Sequence, residues 1–128
     1  MATVALLAPA GCSIGADSEP QPVTGAPKQI AATVDRLGRA IAAKDFAEVC
    51  DRIYTQAARK RAGGADCAKQ LASAADGLSR PTIEIRGIDV NGNRATVKVA
   101  TTAEGQARLI DTLELRRQGT RWLVEAVS

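Results

Sequence analysis

The sequence predicts an α+β domain: three N-terminal helices packed on one face of a four-stranded antiparallel sheet. Three observations predict it. The apolar period is close to 3.6 residues from Ile30 to Leu78 and changes to 2 after Pro81. Turn signals at Asn91-Gly92-Asn93, Gly105 and Gln118-Gly119 divide the second half into four strand-length runs. Helices followed by strands, rather than alternating with them, favour segregated layers over a βαβ arrangement. At 128 residues, 45% hydrophobic and 24% charged, the chain has the size and composition of one globular domain.

Each element has its own signal. Pro27 suits the first turn of a helix, and Ile30, Val34, Leu37 and Ile41 form its apolar stripe, ending near Lys44. Asp45 with Glu48 resembles a capping box and opens a second helix with the stripe Phe46, Val49, Cys50 and Ile53, Tyr54 standing at its edge. Residues 55–65 read as a basic loop containing Arg59-Lys60-Arg61 and broken by Gly63-Gly64. Asp66 can cap a third helix with the stripe Cys67, Leu71, Ala74 and Leu78, Gly77 closing it and Pro81 preventing continuation.

Ile83 and Ile85 then alternate with polar residues, and the phase slips to Ile88 and Val90 across Gly87, which predicts a bulge. Ala95, Val97 and Val99 mark the second strand. Leu109, Asp111, Leu113 and Leu115 mark the third, and Trp122, Val124 and Ala126 the fourth. The outward set is Glu84, Arg86, Arg94, Thr96, Lys98, Thr112, Glu114, Arg116, Arg121 and Glu125, with Ile110, Leu123 and Val127 as its apolar exceptions. So charged a face argues against a large apolar subunit interface and predicts a monomer.

The rare residues exclude whole function classes. There is no His, which removes imidazole-based triads, general bases and His-ligated zinc. Phe46, Tyr54 and Trp122 are the only aromatics, too few for a base-stacking platform, and a net charge of +3 spread along the chain gives no nucleic-acid footprint. No motif asks for a cofactor or a metal.

The first residues carry an address. Residues 2–10 are uncharged and mostly small or apolar, too short to span a bilayer but similar to the end of a signal-peptide hydrophobic region. No Lys or Arg precedes Lys28, so the positive region of a signal is missing, as it would be if the start were placed too late. Two cleavage readings stand. Ala10-Gly11-Cys12 resembles the lipobox of bacterial lipoproteins, with Pro9 where that family has Leu, and implies a lipidated Cys12 anchored to the cell membrane on its extracytoplasmic face. Ala8-Pro9-Ala10 fits ordinary cleavage after Ala10 and a secreted protein. Parity favours the first: with Cys12 acylated, Cys50 and Cys67 remain as a pair. Residues 1–12 thus read as a partial signal, 13–26 as a Ser-, Gly- and Pro-rich tether, and 27–128 as the folded domain.

The order of elements, the segment Lys-Asp-Phe-Ala-Glu-Val-Cys, the Cys-led third helix and the final Gly-Thr-Arg-Trp-Leu-Val strand resemble the nuclear transport factor 2-like superfamily over residues 30–128. The matching positions are Asp45, Cys50, Cys67, Gly119 and Trp122, and the Ala- and Arg-rich composition suits small exported members from high-GC bacteria. The resemblance implies a curved sheet wrapping a helix around a conical pocket. Its members include ketosteroid-isomerase-like enzymes, dehydratases, polyketide cyclases and non-catalytic binding domains, so fold leaves function open. Members usually place a strand pair between the second and third helices, where this chain has its basic loop.

Three candidate sites remain. Cys50 and Cys67 sit on the stripes of successive helices, so a structural disulfide is expected, worth about 3 kcal/mol by loop closure. Asp111 interrupts the inward row of the third strand. In ketosteroid-isomerase-like relatives inward carboxylates do the chemistry, which makes Asp111 a weak general acid–base candidate with Tyr54 as oxyanion donor. The competing reading is a carboxylate at the cone mouth, solvated or paired with Arg. Arg59-Lys60-Arg61 reads first as solvated surface and second as a patch for anionic headgroups or wall polymers. The expectation is therefore a non-catalytic, membrane-tethered domain that binds a small apolar ligand or serves an envelope protein. A small isomerase or dehydratase using Asp111 is the alternative.

Overall fold

The computed structural model describes residues 25–128. Cys12, both cleavage readings and the tether up to residue 24 lie outside the described residues. Helix α1 spans Gly25–Ala42, so regular structure begins two residues before Pro27. Ile30, Val34, Leu37 and Ala40 are buried on it, as the stripe predicts, while Ile41 is only half-buried.

Four strands follow the helices: β1 (Thr82–Asn91), β2 (Arg94–Thr102), β3 (Leu109–Gln118) and β4 (Arg121–Val127). They form one antiparallel meander in the order β1-β2-β3-β4. Gly92 and Gly119 turn its first and last hairpins at φ of 63° and 64°, a left-handed backbone that costs glycine nothing. α1 lies across the sheet, and Ala95, Val97, Val99, Leu113, Leu115, Trp122 and Val124 meet it with 3% exposure or less. Thr33 Oγ1 donates to the Trp122 carbonyl at 2.9 Å and fixes where the first half of the helix crosses β4.

The expected bulge is present, with Ile85 opposite Val99 and Gly87 opposite Lys98, leaving Arg86 as the extra residue. A second irregularity was not legible. Leu115 pairs with Val124 but Glu114 pairs with Ala126, so Glu125 is the extra residue in β4. The phase then reverses: Val127 stands opposite inward Leu113, and Ala126 opposite outward Glu114. Ala126 and Val127 are both apolar, so alternation carries no signal there.

The helical half departs more from expectation. Asp45 does cap the second helix, its Oδ1 accepting the Glu48 N–H at 3.2 Å. That helix, α2, is α-helical only over Phe46–Glu48. It widens into a π-helical turn over Val49–Ile53, closed by Tyr54 N–H to the Val49 carbonyl at 2.9 Å. The expected basic loop contains a helix, α3 (Gln56–Arg61), followed by a 3₁₀ turn over Gly64–Asp66. Thr55 makes that helix possible. Its backbone is extended, its side chain is buried, and Oγ1 accepts the Ala58 N–H at 3.1 Å. Arg59, Lys60 and Arg61 then occupy the last turn, where cations complement the helix dipole. No strand pair stands between α2 and the next helix.

Helix α4 spans Cys67–Ala74 and stops short of Leu78. Asp66 makes no side-chain capping bond to it, and of the expected stripe only Cys67 is buried. The reason is its neighbour: α4 packs against α2 and the π turn rather than the sheet. So the helices do not share the sheet face equally. α1 covers it, the π turn and α3 reach β4, and α4 is held from behind.

Candidate functional site

The helix-facing side of the sheet contains an apolar recess, at the end where β1 and β3 start and β2 finishes. Ile41 from the end of α1, Leu78 and Pro81 from the segment after α4, Ile83, Thr101, Ala107 and Leu109 line it. Its volume is about 220 Å³. Among the described residues no ionisable side chain lines it, and its hydrogen-bonding side chains are Gln106, Thr82, Thr101 and Thr102. Thr82 and Thr102 are joined through their hydroxyls, which leaves Gln106 and Thr101 to meet a ligand.

The rim is tied from both sides. Glu104 N–H donates to the Ser79 carbonyl at 2.7 Å, and Arg80 pairs with the Glu104 carboxylate at 3.5 Å. Both contacts link the Leu78–Pro81 strap to the loop between β2 and β3. Beyond the strap lies a wetter groove of about 410 Å³ with Lys44, Asp76 and Arg80 in its wall. Deeper between α1 and the sheet, the space is filled by the core side chains.

Asp111 stands on the inward face of β3, opposite Val99, as alternation predicts. It is half-buried and, among the described residues, makes no ion pair and no side-chain hydrogen bond. It does not line the recess. Tyr54 lies elsewhere, bridged in parallel to Val124, the partner of Leu115. Leu115 is four residues along β3 from Asp111, which separates the two backbones by on the order of 13 Å. Tyr54 packs against the core, and burial raises its pKa above the ordinary 10.0. Among the described residues the two candidates therefore have separate surroundings, Asp111 on β3 and Tyr54 against β4.

Cys50 and Cys67 are joined in a disulfide, with Cα atoms 6.1 Å apart. Both are buried, and the bond ties the π turn to the first residue of α4. The recess residues were readable one at a time, Ile41, Ile83 and Leu109 each as members of apolar stripes. Their convergence on an unfilled end was not, because it depends on where α4 stops.

A helix laid across a curved antiparallel meander, with a recess at one end, can now be compared with known folds. No family model matches the chain, and no curated protein matches it in sequence. Solved structures do. A variant of the chain designated Rd1NTF2_05 superposes with a TM-score of 0.62 at 16% identity, covering 79% of this chain and 96% of that one. A nuclear transport factor 2-like protein of unknown function from Silicibacter pomeroyi gives 0.59 at 18% identity, covering 79% and 94%. A putative nuclear transport factor 2-like transpeptidase from Campylobacter jejuni gives 0.54 at 15% identity, covering 80% and 99%. The fold is nuclear transport factor 2-like. Within that fold the recess lies at one end of the sheet, and the packed core fills the space between α1 and the strands.

Proposed function

We propose that this nuclear transport factor 2-like domain is non-catalytic, monomeric and lipid-anchored through Cys12 on the extracytoplasmic face, and that it holds a small apolar group at the cone mouth. The observation that carries the proposal is the recess lining: apolar walls, one amide and a few hydroxyls, with no group able to move a proton. Its volume is below the roughly 300 Å³ at which drug-sized ligand pockets begin, so it suits a short chain or single ring. The Cys50–Cys67 bond supports an oxidising compartment and leaves Cys12 as the odd cysteine, consistent with acylation.

Two measurements test this. Hexanol added to the labelled protein should shift the resonances of Ile83, Thr101 and Leu109 saturably, and an unchanged spectrum would remove the ligand. Intact mass of the processed protein should show a diacylated or triacylated Cys12; an unmodified, correctly processed chain would favour secretion after Ala10.

A second reading, an interaction module for an envelope protein, is favoured by Leu109 and Ile110. They are 60% and 55% exposed on opposite faces of the first turnout of β3. The isomerase reading has its own test. Asp111→Leu should leave stability unchanged to within about 0.5 kcal/mol if the carboxylate is a tolerated rim residue, whereas a loss of several kcal/mol would reveal a specific network around it.

A further inference from the structure

The arginines that the sequence scatters along the chain are gathered by the fold at one end. Three stretches meet there: the start of α1 (Gly25–Val34), the β1–β2 hairpin (Val90–Ala95) and the β3–β4 hairpin (Leu115–Val124). None contains an Asp or Glu, and together they carry Lys28, Arg94, Arg116, Arg117 and Arg121. The register brings them together. Arg94 is the direct cross-strand partner of Arg116, and Arg117 N–H donates to the Asn93 carbonyl at 2.8 Å. Gln29 and Arg36 of α1 share a shallow surface recess with Thr120 and Arg121.

These charges are not closed into ion pairs. Among the described residues, Arg36, Arg94, Arg116, Arg117 and Arg121 enter no ion pair, although all five are exposed. Arg117 Nε donates to the Gly119 carbonyl and Arg121 to the Arg52 carbonyl, each at 3.0 Å, and neither acceptor carries a charge. Like charges directly opposite on a sheet are unfavourable, so the Arg94–Arg116 pair needs counter-charge nearby. Asp89, Glu114 and Glu125 stand beside this pair on the outer face without closing a bridge to it. The contrast is the run Arg59-Lys60-Arg61, the densest in sequence. There Arg59 pairs with Asp51 at 3.4 Å, and Arg61 is held on the Glu125 carbonyl.

α1 also starts at this end. We propose that this arginine end is a docking surface for anionic phospholipid headgroups, orienting the domain so that the hairpins face the bilayer and the cone mouth faces away. The orientation rests on the lipid-anchored reading. The docking surface does not, since it is a property of the described residues. Anionic headgroups fit the chemistry: a polybasic surface beside an anchor gains affinity with each arginine near the membrane and sets how the anchored domain faces it.

The test uses the full chain carrying Cys12→Ser, so that no acyl chain contributes. Vesicles of phosphatidylcholine with roughly 30 mol % phosphatidylglycerol should bind it, and pure phosphatidylcholine vesicles should not. Binding should fall steeply between about 0.05 M and about 0.5 M NaCl as the charges are screened. Replacing Arg94, Arg116 and Arg117 together by Ser should weaken binding at least about tenfold, and replacing the same three by Lys should retain it. Lys44, Lys69 and Arg108, exposed and distant from the hairpin tips, provide a control of equal charge: their triple Ser variant should stay within about twofold of the parent. Equal losses from both triple Ser variants would reduce the effect to net charge and overturn the surface, as would equal binding to both vesicle types. An unmodified Cys12 in the native protein would remove the anchor and leave these outcomes unchanged.

Discussion

α1 with the sheet, and the segment from Asp45 to Leu78, are held by different means. The first is a long amphipathic helix on a broad apolar face. Its contacts run from Ile30 to Ala40 on one side and from Ala95 to Val124 on the other, nearly all below 5% exposure. The second is a series of helical turns of 3, 5, 6, 3 and 8 residues. Helices that short are unstable on their own, since the cost of nucleation is recovered over about a dozen residues or more. They persist through point attachments: Val49, Cys50 and Ile53 buried on one turn, Thr55 N–H on the Val124 carbonyl at 2.9 Å, and the Cys50–Cys67 bond. Burial spread over many residues tolerates local loss by sharing it. Point attachments fail one at a time.

The largest effect should come from the distributed core. Leu115 is 2% exposed, between Ala95 and Val124. Leu115→Ala should cost about 2–5 kcal/mol, the range for a buried leucine whose cavity does not collapse. Denaturant melting should show one cooperative transition at a lower midpoint with unchanged slope. Loss of the 45–78 segment alone, with the sheet intact, would break the comparison.

Next is the disulfide. Replacing Cys50 and Cys67 together by Ala should cost about 3 kcal/mol for a closed loop of this size. The distribution of the loss matters more than its size. Amide exchange should accelerate first between residues 64 and 78, where α4 rests mainly on α2 and the π turn, while β2 and β3 keep their protection. Uniform acceleration would show that the two regions unfold as one.

The same division explains what was legible in the sequence. Period 2 with turn residues at Gly92 and Gly119 located all four strands, because a half-buried sheet leaves an unambiguous imprint. The stripe Ile30, Val34, Leu37 did the same for α1, and the two core cysteines announced their bond. The short turns left little imprint. Thr55 caps α3 with a bond that looks, in sequence, like any Thr before a polar run. α4 stops at Ala74 although its stripe continues to Leu78, because tertiary packing behind α2 decides its length. The cone-mouth recess inherits that uncertainty, since Leu78 and Pro81 wall it only once α4 has ended.

A smaller effect should follow from the cap itself. Thr55→Ala removes the acceptor for the Ala58 N–H at a position 1% exposed to solvent. About 1 kcal/mol should be lost, within the ordinary range for a capping Thr. Thr55→Ser, which keeps the oxygen, should recover most of it. Equal losses for Ala and Ser would assign the role to the methyl group and to packing.

The smallest effect at neutral pH should come from Tyr54, yet it separates the two regions by titration. Its ring packs against the shared core where the π turn ends, and its backbone bridges Val124. Among the described residues its hydroxyl has no hydrogen-bond partner, so Tyr54→Phe should change stability by no more than about 0.5 kcal/mol near pH 7. Burial raises its folded-state pKa above the unfolded 10.0, because the phenolate would be less well solvated there. The native state therefore keeps its proton where the unfolded state has lost it. The resulting contribution is fully present below pH 10.0 and is lost as pH rises through the folded value. As pH rises past 10.0 the parent should lose stability faster than Tyr54→Phe, the two curves converging or crossing. Parallel curves over that range would mean that the hydroxyl reaches solvent and that the joint between π turn and β4 is looser than its backbone bonds suggest. A steeper decline confined to amides of residues 49–61, with the sheet unaffected, would instead place the ionisation in local opening of the helical segment and sharpen the contrast between distributed and point-held structure.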